Sequence, residues 1–171
     1  MSLTTLALIV LAPILVWRIY SRLKKQMARQ RSIMSRHYTG VLVFFAMVAV
    51  PASEAIALPL SIGALLAGTA LGIALGVYGL RKTRFEDTSE GYYFTPKERL
   101  GMAVAMVLVA RVLYIGVDIY INQGSGAPTP KFTASPLSMW CVGLVGAYFG
   151  LYSAGLLRWR WRLDKAVRSG E

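Results

Sequence analysis

The chain has 171 residues, 56% of them apolar and 16% charged, with a mean hydropathy of +0.52. Soluble domains carry roughly 45–50% apolar and about 25% charged residues, so this composition describes a chain that spans a bilayer. It excludes a disordered chain, a collagen-like repeat and, with Cys141 as the sole cysteine, a disulfide scaffold; the net charge of +11 would suggest nucleic acid only in a soluble protein.

The first apolar run, Leu3 to Trp17, is interrupted only by Pro13. Extended to Tyr20, with Arg18 snorkelling to the interface, it approaches the roughly 20 residues that cross the hydrocarbon. A signal peptide is disfavoured, because no Lys or Arg precedes the run and no small-x-small site follows it. Residues 18–37 are a basic loop without an acid. A second span, 38–58, carries Pro51, Ser53 and Glu54, which predict loosening of its outer half. The third span, 60–80, contains no charge, and Pro59 predicts a tight turn between the two. A polar loop, 81–99, leads to the fourth span, 100–121. A Gly/Pro/Ser/Thr loop, 122–136, leads to the fifth, 137–157, and a basic tail, 158–171, ends the chain.

The expected fold is therefore all-α: a single five-helix transmembrane bundle. Five spans put the loops 18–37 and 81–99 and the tail on one side, with 17 of the 19 Lys and Arg residues. The positive-inside rule then predicts an external N-terminus and a cytoplasmic C-terminus. The charge acts as an orientation signal and attracts anionic lipid headgroups, with no nucleic acid required. The interleaved Arg158-Trp159-Arg160-Trp161-Arg162 reads as an interfacial anchor.

Association of helices in lipid depends on close packing of small residues. The third span supplies Ala64, Gly68, Gly72 and Gly76 at every fourth position, and the fifth supplies Gly146, Gly150 and Ala154. These stripes predict packing of the third span on the fifth, with homo-oligomerisation as the alternative.

Glu54, Arg111 and Asp118 are ionisable residues within spans, each costing about 2.5–3.5 kcal/mol at a helix centre, so partners are expected. Arg111, Tyr114 and Asp118 share one face of the fourth helix. A Glu54–Arg111–Asp118 cluster inside the bundle is the resulting candidate binding site, either a structural charge pair or an ion or ligand site.

The segment 83–95 reads as a small β-hairpin closed near Gly91. The basic loop after Trp17-Arg18, the Gly-rich span, Thr83-Arg84-Phe85-Glu86 with Gly91-Tyr92-Tyr93, and the intramembrane Arg111 together resemble the CcdC-like bacterial membrane proteins. That resemblance implies a link to cytochrome c biogenesis and brings no catalytic residues with it. Direct dithiol exchange is disfavoured by the single cysteine, and paired-histidine haem ligation by the single histidine, His37. No phosphate loop, zinc spacing or nucleophile elbow occurs, so no catalytic residue, metal or cofactor is assigned. The leading expectation is a non-enzymatic assembly, regulatory or scaffold subunit that meets a membrane-protein partner. A small oligomeric transporter or ion conduit using Glu54, Arg111 and Asp118 comes second. A membrane enzyme acting on a lipid-linked substrate, with Glu54 or Asp118 as acid/base, comes third.

Overall fold

A computed structural model of the chain describes residues 14, 16–22, 30–88, 91–96, 98–122 and 131–169. Residues 16–22 are helical (α1); the rest of the first predicted span, 3–13 and 15, lies outside the described residues. The described elements then follow as β1 (Gln30–Arg31), α2 (Met34–Ala55), α3 (Pro59–Arg81), β2 (Arg84–Thr88), β3 (Gly91–Thr95), α4 (Glu98–Ile121), a single 3-10 turn (Phe132–Ala134) and α5 (Pro136–Ser169). Four of the helices, α2 to α5, are long and apolar enough to cross a membrane. The protein is a helical membrane bundle carrying a small sheet. The external loop expected at 122–136 is described only at its ends.

Proline marks the start of two helices, Pro59 for α3 and Pro136 for α5. At these positions its fixed φ suits the first turn and its missing N–H has no helical partner to lose. Pro51 lies inside α2, yet the helix continues to Ala55 and ends three residues before the predicted boundary. The expected loosening at Pro51 and Ser53 does not occur. Ser53 Oγ donates to the Val50 carbonyl at 2.7 Å, a local bond that the helix accommodates.

The centre of the bundle is α5. Its 34 residues extend for about 51 Å at 1.5 Å per residue, well beyond the roughly 30 Å of hydrocarbon. What read as a basic tail is thus the projecting end of a continuous helix as far as Ser169. The most extensive helix contact is between α3 and α5; α2 covers a second side of α5, and α4 leans on it more lightly. Met139 and Ala55 are fully buried where α2, α3 and α5 meet, beside Leu65 and Val142.

The small residues explain why α3 and α5 approach so closely. A Cβ at Gly68 would collide with the Trp140 carbonyl oxygen, one at Gly72 with that of Leu144, and one at Gly76 would lie 3.1 Å from that of Tyr148. The reciprocal glycine on α5 is Gly143, set against the backbone of Leu65 and Thr69. Gly146 and Gly150, which were expected to meet the third span, face α2 instead, against Val48 and Phe44. A single central helix with neighbours on two sides needs small residues on both faces. A stripe of small residues spaced four apart does not say which neighbour it serves.

The predicted hairpin forms: β2 and β3 pair antiparallel from Arg84↔Thr95 to Thr88↔Gly91. On the other edge of β3 lies β1, paired Gln30↔Phe94 and Arg31↔Tyr93. Two residues of the basic loop thereby join the hairpin. They were not anticipated, because two residues carry no readable alternation.

Candidate functional site

The predicted intramembrane cluster is not assembled. The Arg111 side chain leans on the start of α5, its Nε donating to Ser138 Oγ at 3.0 Å and its Nη2 to Ser135 Oγ at 2.7 Å. Its guanidinium also lies 5.3 Å from the Tyr114 ring centroid. Asp118 instead accepts from Asn122 Nδ2 at 3.1 Å, and Glu54 is exposed near the end of α2. Among the described residues no ion pair joins Arg111 to either acid. The physical reason is reach. Ser135 and Ser138 stand directly opposite Arg111 across the α4–α5 contact, whereas Asp118 lies two turns along its own helix. Ser135 and Ser138 carry no charge and sit beside a helix start, where polar residues are ordinary.

Polar and aromatic groups converge at the opposite end of the bundle. Where α5 projects past α3, Trp159 packs on Phe85 of β2 at 4.6 Å between ring centroids and on Tyr92 of β3 at 6.1 Å. Arg160 covers the other side of this contact, 4.0 Å from the Tyr92 centroid, and its Nη2 is 3.7 Å from Asp164 Oδ1. Its Nε and Nη1 are buried and have no hydrogen-bond partner among the described residues. Trp161 stacks obliquely near Tyr38 at 6.1 Å. Within the Trp/Arg alternation, Trp159 clamps the sheet onto α5.

The junction of sheet and helices is tied by hydrogen bonds. Ser32 N donates to the Tyr92 carbonyl at 2.8 Å, extending the β1 edge. The Ser32 hydroxyl then bonds His37 Nε2 at 2.8 Å, and the buried His37 ring meets Phe94 edge-on at 5.8 Å. Thr83 Oγ1 donates to the Gly79 carbonyl at 2.9 Å, so the 2.9 Å bond between Thr83 and Tyr152 has the tyrosine as donor. Residues 30–33, the hairpin and the α5 extension form one cap. Of these only the hairpin was legible from the sequence.

Beneath the cap, α2 and α4 both rest on α5 and make no comparable contact with each other. Between them an open cavity of about 1180 Å³ runs from Arg36 and His37 past Phe44 and Tyr148 to Met47 and Leu108. Its walls are mainly apolar, with Tyr148, Tyr152 and Ser153 supplied by α5. Among the described residues no group of three or more His, Cys, Asp or Glu side chains is placed to hold a metal. Cys141 is buried within α5 as a free thiol.

Comparison with protein families gives a match to the family described as CcdC protein over residues 1–166. The chain belongs to that family. Comparison with curated proteins and with solved structures gives no significant match.

Proposed function

We propose that this member of the CcdC family is a non-enzymatic assembly or scaffold subunit of the bacterial inner membrane. In this reading the cap faces the cytoplasm and docks a partner there. One observation carries the proposal. Residues 30–33, the hairpin and a helix extension are joined into a cap with an aromatic centre and its own hydrogen bonds. A chain has little reason to order that much polar backbone outside the bilayer unless the surface is used. The family's name supports a role in cytochrome c biogenesis. The distribution of Lys and Arg supports an external N-terminus and a cytoplasmic cap.

The orientation has a direct test. Reporter fusions after Glu90 and Ser169 are expected to score cytoplasmic and a fusion near Gly126 external; a cytoplasmic score at Gly126 overturns the threading.

The role is tested by complementation. A strain lacking the protein is expected to lose covalently haem-bearing c-type cytochromes, read by haem stain after denaturing electrophoresis. Trp159→Ala, which removes the clamp on Phe85 and Tyr92, is expected to insert normally but restore less than a tenth of the stain. Glu54→Gln and Asp118→Asn are expected to restore it fully. Failure of both acid variants with success of Trp159→Ala reverses the assignment in favour of a conduit.

A further inference from the structure

On the side of α5 away from the cavity between α2 and α4, a second cleft of about 500 Å³ lies where α3 ends and β2 begins. Three arginines line it: Arg81, the last residue of α3, with Arg158 and Arg162 of α5. Spaced four apart, Arg158 and Arg162 share one helix face, where like charges repel by a few tenths of a kcal/mol. All three are exposed, and among the described residues none is paired with a carboxylate. The floor is of opposite character. Val77, Leu151 and Ala154 continue the cleft along the two membrane-spanning helices, while Phe85 and Trp159 close its far wall.

The level of this cleft is set by the sequence of its walls. The uncharged run of α3 stops at Leu80, and the apolar run of α5 stops at Leu157. The guanidiniums therefore stand at the boundary of the hydrocarbon, where arginine heads reach headgroups and their stems lie in lipid. From Leu151 to Arg158 the cleft runs about 10 Å along α5 at 1.5 Å per residue, within one leaflet, half of the roughly 30 Å of hydrocarbon.

We propose that this cleft is a binding site for one anionic phospholipid, its phosphate held among Arg81, Arg158 and Arg162 and an acyl chain laid over Val77, Leu151 and Ala154. Charge complementarity selects the headgroup. Arginine is suited to it, because its fork of N–H donors matches phosphate oxygens bidentately. Diffuse attraction of a +11 protein to an acidic leaflet is a different effect. It treats all surface arginines alike and needs no chain-shaped floor. The inference rests on α3 and α5 crossing the membrane and is independent of the proposed assembly role and of the orientation.

The test uses the full chain in a neutral detergent, titrated with dioleoyl phosphatidylglycerol or dioleoyl phosphatidylcholine and read by native mass spectrometry. The wild type is expected to bind one phosphatidylglycerol about tenfold more tightly than phosphatidylcholine. The combined variant Arg81→Gln/Arg158→Gln/Arg162→Gln is expected to reduce that ratio to within about twofold, whereas Arg18→Gln/Arg22→Gln/Arg99→Gln, with the same change in net charge, leaves it intact. Equal loss in both triple variants overturns the site in favour of diffuse attraction. Inorganic phosphate displacing the lipid at equal concentration overturns it in favour of a free-anion site. A second measurement does not depend on any variant folding. Phosphatidylglycerol with a diazirine in its acyl chain is expected to label Val77, Leu151 or Ala154 in the wild type well above the outward-facing Leu42, Phe45 and Leu66. Equal labelling of the two groups overturns the proposal.

Discussion

Gly72→Leu is expected to be strongly damaging within the bilayer, lowering stability by about 3 kcal/mol, the upper end of the range for overpacking a close contact. The cause is backbone against backbone. A Cβ at residue 72 would collide with the Leu144 carbonyl oxygen, with Ala147 Cβ at 2.9 Å behind it. A flexible side chain could swing aside, but a carbonyl in a helix cannot move without its turn. The leucine therefore separates α3 from α5 along a contact that extends from Gly68 to Gly76. Separation forfeits the dispersion contacts that hold helices together in a solvent as apolar as their own surfaces. Gly63→Leu is the matched control: the same helix and change of volume, with nothing within 4 Å of the added Cβ. It is expected to stay within about 0.5 kcal/mol of wild type, as surface changes do. Helical circular dichroism followed through unfolding in mixed micelles reads both. Equal midpoints for the two variants would show that the α3–α5 approach is not what holds the bundle.

Ser138→Ala is expected to cost about 2 kcal/mol, because it leaves a charged donor without its acceptor inside the bundle. Ser138 is fully buried, and Arg111 Nε points at its hydroxyl. Removing the hydroxyl does not remove the charge. The guanidinium keeps one bond, to Ser135, and must otherwise remain unpaired in a poorly polar site. A double-mutant cycle isolates the pair. Arg111→Ala with Ser138→Ala is expected to be non-additive by about 1–2 kcal/mol, while Arg111→Ala combined with Glu54→Gln or Asp118→Asn adds to within about 0.5 kcal/mol. Coupling of Arg111 to either acid, with none to Ser138, would restore the charge cluster and refute the serine contacts.

These two sites differ in how far the sequence revealed them. The α3 glycines were visible because their period of four marks a helix face, and Gly68, Gly72 and Gly76 lie against α5. The α5 glycines were equally visible, but Gly146 and Gly150 serve α2 while the less conspicuous Gly143 serves α3. Arg111 was picked out because a charge in an apolar run stands out. Its partners did not, since Ser135 and Ser138 resemble any other polar residues at the end of a loop. The cap was the least legible feature. Gln30–Arg31, the hairpin and Trp159 come from three separate stretches of chain, and nothing local in any of them states that they meet.

What the sequence determined by itself follows from properties that depend on single segments. Apolar runs of membrane length make helices, since in lipid a backbone must satisfy its own hydrogen bonds. Aromatic residues on either side of a polar turn make the hairpin over 83–95. The tertiary structure decided the pairings. It placed α5 at the centre, gave its glycines to two neighbours, turned Arg111 towards serines and gathered three arginines around one cleft. The reason is physical: a helix presents several faces, each within reach of different partners. Which face meets which neighbour is settled by the joint packing of all the helices, where the closest approach of backbones sets the geometry and side chains bond to whatever it leaves within 3 Å.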